Sequence, residues 1–246
     1  MVMEKIWVYA AMGGFIPTLA WLFFWLREDN DNSKEPIGLI IKTFLFGSAA
    51  AYVSIFIESY VFTYLKPTEP SSFFIYSMVE EFTKFFSVFI AAYGTVWWNE
   101  RTDPMIYMLA GALGFSAIEN MYYIIDFLHK SHYMQSVIES GYRIIGATLL
   151  HTSTSAIFGV FVAVVIFRNV AVRLLAIIFG LSVAIFGHGI FNIVMGTNNI
   201  QYIKIAFFTV WGVSIILFIL FEFMSFLGNH KLQEHELEDD FRKILF

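Results

Sequence analysis

Glu58, Glu80, Glu81, Lys84, Glu119, His151, His188 and Asn192 interrupt stretches that are otherwise apolar. A charged side chain in hydrocarbon costs at least about 2.5–3.5 kcal/mol on insertion scales, so each needs a partner or a task. Two histidines and a carboxylate are a common ligand set for catalytic zinc, which keeps a further position open for water. His151, His188 and Glu119 supply that set from three separate segments. Glu80 is then the base that takes a proton from the attacking water. Asn192 is a donor to the oxyanion that forms on a peptide carbonyl. A metal-free version asks only that Glu80 activate water while a histidine polarises the carbonyl. Both versions are hydrolysis inside a membrane cavity, and spacing alone does not choose between them.

Local spacing refines these roles. Lys84 follows Glu80 by four residues and Glu81 by three, so it reaches either carboxylate on one helical face. Glu81 reads equally as a catalytic carboxylate and as half of a buried ion pair that fixes helix register. His188 and Asn192, four apart, face one cavity, and Thr148, His151, Thr152 and Ser155 form a polar stripe ill suited to lipid. Glu58 reads as a helix-end carboxylate or as a member of the same site. His129 and His132 fall in a loop and read as solvated; Asp103 before Pro104 reads as a helix N-cap. The many phenylalanines and tyrosines read as lipid contacts and interfacial belts.

The elements that must position these residues are membrane helices. Of 246 residues, 58% are hydrophobic and only 14% charged, and the mean hydropathy is +0.68. Soluble domains carry about 25% charged residues. The absence of cysteine excludes disulfides and thiolate metal sites, and a net charge of −5 gives no case for a nucleic-acid partner. Seven segments are long enough to span hydrocarbon. They run Ile6–Leu26, Ile37–Leu65 (overlong), Phe73–Trp98, Pro104–Leu128, Arg143–Phe167, Ala171–Gly196 and Tyr202–Leu227. The expected fold is therefore all-α, a polytopic transmembrane bundle. Residues 1–229 form the bundle domain, and 230–246 a charged cytoplasmic tail, read as a short amphipathic helix at the membrane surface. The first apolar run reads as a spanning helix rather than a cleaved signal. Arg27, Lys34, Arg101, Arg168, Arg173, Lys231, Arg242 and Lys243 outnumber Lys5, Lys66, Lys130, Arg143 and Lys204 on the other side. This bias puts the N-terminus outside and the C-terminus in the cytoplasm. Counting along helices of alternating direction at 1.5 Å per residue puts Glu80, Glu119, His151 and His188 about 10–14 Å below the outer surface. Glu58 lies near the same plane.

The residues resemble the PrsW-type intramembrane proteases, distantly related to the CAAX prenyl proteases. Glu80, Glu81 and Lys84 match the family's EExxK motif, and Gly114, Phe115, Glu119 and Asn120 its GFxxxEN segment. His151 matches its lone helical histidine, and His188 with Asn192 its HxxxN motif; Lys34-Glu35-Pro36 is similar to its approach to the second helix. The resemblance spans roughly residues 34–192. It implies proteolysis of membrane-anchored substrates, above all regulated cleavage of an anti-sigma factor near the extracytoplasmic side of a prokaryotic plasma membrane. It marks Glu80, Glu81, Glu119, His151 and His188 as the site residues, and leaves zinc-dependent and metal-free glutamic mechanisms open. Where the CAAX enzymes use a histidine on the fourth helix, this chain has Glu119. The rival class is a proton- or ion-coupled transporter, which also buries glutamates and histidines; the chain has no inverted repeat to support it. A catalytically dead relative would be expected to have lost a motif residue, and none is lost.

Overall fold

The computed structural model describes residues 2–28, 34–65, 69–129, 133–197 and 199–245, with side chains for all of these except 2–5, 127, 133–144 and 227–245. The described residues form seven helices and no strand: α1 Val2–Glu28, α2 Ile37–Val61, α3 Pro70–Ala91, α4 Asp103–His129, α5 Tyr133–Val165, α6 Val170–Gly196 and α7 Ile200–Leu245. Six of them, all but α3, contain a stretch long and apolar enough to cross a membrane. Large apolar side chains such as Phe23, Phe56 and Phe208 stand 70–75% exposed on the outside. Only lipid tolerates such a surface, and the chain is an integral membrane protein.

The helix α3 is the exception because Glu80, Glu81 and Lys84 lie within it, yet all three are buried. It lies between α2 and α6. Its polar face turns inward, while Met78, Phe82, Phe86 and Phe89 face out. Proline in its first turn suits a helix start, where a missing N–H costs nothing. At its other end Lys42 of α2 donates to the Ala91 carbonyl at 2.9 Å, a cation at a helix C-terminus.

The most buried helices are α4 and α5, and α4 packs against α1, α2 and α5. Two glycines permit the α2–α4 crossing. A Cβ on Gly114 would lie 1.9 Å from the Phe44 carbonyl oxygen, and one on Gly47 would lie 2.0 Å from that of Gly111. Backbones can approach this closely only where side chains are absent. Ser48 ties the same crossing, donating to the Gly114 carbonyl at 3.0 Å.

Several boundaries differ from the sequence reading. The second helix ends at Val61 rather than Leu65, and the third at Ala91 rather than Trp98. Gly94 follows the third helix with φ at +77°, a left-handed conformation that does not continue an α-helix. The fifth begins at Tyr133, ten residues before the expected Arg143. The seventh runs unbroken to Leu245, so a separate surface helix after residue 229 is not formed. Asp103 does not cap α4: its carboxylate turns back to accept from the backbone N–H groups of Asn99 at 2.6 Å and Glu100 at 2.5 Å. His129 ends α4 and is exposed; His132, Lys66 and Lys130 lie outside the described residues.

Candidate active site

Four helices bring their polar residues to one buried cluster. From α3 come Glu80, Glu81 and Lys84, from α4 Glu119, from α5 His151 and Thr154, and from α6 His188. The pieces meet because each helix carries its polar residues on the face turned to its neighbours, where lipid cannot reach. Lys84 is 0% exposed, His151 1%, and Glu81 and His188 2% each.

Glu81 is the anchor. Its Oε1 accepts from Lys84 Nζ at 2.6 Å, from His188 Nδ1 at 2.7 Å and from Thr154 Oγ1 at 3.0 Å. An ionised carboxylate only accepts, so His188 carries its proton on Nδ1 and presents the Nε2 lone pair elsewhere. That lone pair faces Glu80 Oε2 at 3.6 Å. His151 is fixed in the complementary way. Lys84, which has no lone pair, donates to its Nδ1 at 3.2 Å, and Nε2–H then donates to Glu119. The same Nδ1 lies 3.8 Å from Glu80 Oε2. The two imidazoles meet edge to face, ring centroids 5.1 Å apart, and Phe115 backs His151 at 5.2 Å.

Glu80 Oε2 is the conspicuous atom: fully buried, between two imidazoles, and without a hydrogen-bond partner. Ligand atoms of Glu80, His151 and His188 all lie within 4.8 Å of one another. Zinc bonds of about 2.0–2.1 Å in a tetrahedron put neighbouring ligand atoms roughly 3.4 Å apart, close to the two separations at Glu80. One carboxylate and two imidazoles are also a zinc-type donor set. The orphaned oxygen and the donor set together fit a divalent metal, which would replace Lys84 at the His151 Nδ1 lone pair. The convergent trio thus contains Glu80, where the sequence reading had Glu119. Glu119 instead contacts the far nitrogen of His151.

Glu80 and Glu119 both open on a cavity of about 390 Å³ between α2, α3 and α4. Glu58 lines it too, its Oε1 accepting from Ser54 at 2.8 Å. Asn192 lies one turn beyond His188, and its amide donates to Ser77 of α3 at 3.3 Å, away from the trio. Of the polar stripe on α5, Thr148 joins Ser116 at 3.0 Å and takes a bond from Asn120 at 3.0 Å, which locks α4 to α5. The sequence reading missed Thr154 and Ser77. Thr154 follows His151 by three residues, so the helical period that grouped the stripe would also have found it.

Comparison with known proteins bears on these residues. Residues 35–224 match the family described as PrsW family intramembrane metalloprotease. "Protease PrsW" of Halalkalibacterium halodurans is 29% identical over 147 residues, covering 58% of this chain and 62% of the relative. The protein of the same name from Bacillus subtilis is 30% identical over 117 residues, 46% of this chain and 52% of the relative. That of Clostridioides difficile is 33% identical over 114 residues, 44% and 48%. The matched part of the chain thus spans about half to three fifths of the length of these curated relatives. No solved structure matches the chain. The family match covers most of the described bundle and every member of the buried cluster, and the chain belongs to the PrsW family of intramembrane metalloproteases.

Proposed function

We propose that this chain is an intramembrane endopeptidase that hydrolyses a peptide bond of a membrane-anchored protein. The observation that carries the reading is the unpartnered Glu80 Oε2, held between His151 and His188 at the wall of a 390 Å³ cavity. Glu80, His151 and His188 would hold a divalent metal such as zinc. When bound, such an ion supplies a polarised carbonyl and a more acidic water.

The chain's own residues do the rest. Glu81 fixes His188 so that its Nε2 lone pair is turned towards Glu80, and Lys84 holds the His151 Nδ1 lone pair beside the same oxygen, where an ion would displace it. Carboxylate partners behind ligating histidines set tautomer and ring orientation in this way. Glu81 is thus a positioning residue. Glu119, on the cavity wall and hydrogen-bonded to His151, takes the proton of the attacking water and returns it to the leaving amine. The roles of Glu80 and Glu119 are exchanged relative to the sequence reading because it is Glu80 whose oxygen lies between the imidazoles. Asn192, one of whose two amide N–H groups donates to Ser77, would give the other to the oxyanion. The anti-sigma-factor-like substrate, the extracytoplasmic side of cleavage and the outside N-terminus rest on the family resemblance and the lysine and arginine bias. So does the division into a protease domain, 1–229, and a cytoplasmic tail, 230–246, in a prokaryotic plasma membrane.

The test is cleavage of a membrane-anchored reporter in liposomes by wild type, Glu80→Ala and His188→Ala, with metal content measured on each. Wild type is expected to cleave and to carry a divalent ion. Each variant is expected to lose activity by roughly 1,000-fold or more, as enzymes do on losing a group that acts in the transition state, and His188→Ala to lose the ion. Full activity in both variants would sink the hydrolytic reading. Activity lost without any ion in wild type would leave Glu80 as the base of a metal-free mechanism.

A further inference from the structure

Tyr76 lines the same cavity as Glu80 and Glu119, and its hydroxyl is buried without a hydrogen-bond partner among the described residues. A buried tyrosine hydroxyl usually finds a partner. A phenylalanine would fill the same place with no polar atom to satisfy, so the oxygen calls for a ligand. Other hydroxyls of the lining are already committed: Ser54 donates to Glu58 at 2.8 Å and Ser59 to the Phe56 carbonyl at 2.7 Å.

The position of Tyr76 on α3 says what that ligand is. It precedes Glu80 by four residues, so the two share one helix face about 6 Å apart along the axis. Helical side chains lean towards the N-terminus, which brings Glu80 towards the turn that carries Tyr76. Ser77, Glu81 and Lys84 occupy the neighbouring face, where they bond to α5 and α6. Asn192 comes from that side and is not among the described residues of the cavity lining. A peptide carbonyl that enters the cavity beside Glu80 therefore meets Tyr76 as its neighbouring donor. When water adds to that carbonyl, a new C–O bond forms, the π pair moves onto the carbonyl oxygen, and a water proton passes to Glu119. The oxygen then holds a negative charge, and a fixed donor stabilises it most in a site of low dielectric. As the C–N bond breaks, the oxygen's pair restores the carbonyl and the leaving nitrogen takes the proton from Glu119. Tyr76 keeps its own proton throughout. Resting on the hydrolytic reading above, we propose that Tyr76 is a catalytic residue whose hydroxyl donates to the oxyanion from the cavity side, in addition to the Asn192 amide.

Tyr76→Phe removes the hydroxyl and keeps the ring. Cleavage of a membrane-anchored reporter in liposomes is measured for wild type and variant, with the metal content and thermal midpoint of each. The variant is expected to lose kcat by roughly 100-fold or more, as on removal of one oxyanion donor, with KM little changed. Its metal content is expected to stay the same and its midpoint to hold or rise, because an unpaired buried hydroxyl does not stabilise a fold. A phosphinate peptide, which carries the charged oxygens of the tetrahedral state, is expected to lose affinity by the same factor as kcat/KM. A kcat within about threefold of wild type, a loss carried by KM, or an unchanged phosphinate affinity overturns the role. So does a lowered midpoint or metal content, which would make the hydroxyl a support of the fold or of the trio. Wild type that leaves the reporter uncut overturns the hydrolytic reading and this role with it. Wild type that cuts beside an equally active Tyr76→Phe overturns this role alone.

Discussion

Three donors converge on the single oxygen Glu81 Oε1, and one of them is a fully buried ammonium. Removing one partner of such a pair leaves an uncompensated charge, which costs about 3–5 kcal/mol; replacing both by apolar residues of similar volume is often neutral or stabilising. Glu81→Leu alone is therefore expected to lower the thermal midpoint in detergent sharply. The double variant Glu81→Leu with Lys84→Met is expected to recover most of that loss. Activity is expected to stay lost in the double variant, because both histidines then lose the groups that fix their tautomers. Recovered activity together with recovered stability would make the pair a structural bridge and nothing more. At this scale the sequence was informative about membership and weaker about contacts. Glu80, Glu119, His151 and His188 were legible because a polar residue within an apolar segment is costly wherever it points. Which carboxylate lies between the imidazoles was not, since spacing along four helices gives depth but not rotation about each axis.

At the scale of elements, the α2–α4 crossing is set by backbone contact at Gly47, Gly111 and Gly114, and Glu119 lies little more than one turn beyond Gly114. A methyl group at Gly114 meets the Phe44 carbonyl of the partner helix rather than a flexible side chain. Gly114→Ala should force α2 and α4 apart, destabilising the fold by about 1–3 kcal/mol as overpacking typically does. It should also lower activity by shifting Glu119 and the Glu58 wall of the cavity. Gly212→Ala on α7, where a Cβ meets nothing within 4 Å, is the control and should change stability by less than about 0.5 kcal/mol. Thermal unfolding of both variants beside wild type decides the matter, and equal midpoints for all three would remove the crossing as a constraint. Helix existence was readable from apolar length alone. Helix ends were harder, because lipid-length arguments do not see a left-handed Gly94 or the ten further helical residues before Arg143.

For the whole molecule, the remaining question is which side of the membrane the cavity faces. Topology fixes part of the answer. Glu58 lies close to the end of α2, and Glu119 and His188 lie beyond the midpoints of α4 and α6. These three helix ends share one side of the bundle with the starts of α3, α5 and α7, since successive helices alternate in direction. The lysine and arginine bias carries the expectation that this side is extracytoplasmic. The chain has no cysteine, so single cysteines report without background. Thr63→Cys sits in the exposed turn after α2, and Val96→Cys, replacing a residue 80% exposed, in the turn after α3. In intact cells a membrane-impermeant maleimide should label Thr63→Cys and leave Val96→Cys unlabelled until the membrane is opened. The reverse pattern would put the cavity on the cytoplasmic side and the N-terminus with it. Cleavage would then have to occur where a cytoplasmic, not an extracytoplasmic, segment of the substrate enters the bilayer.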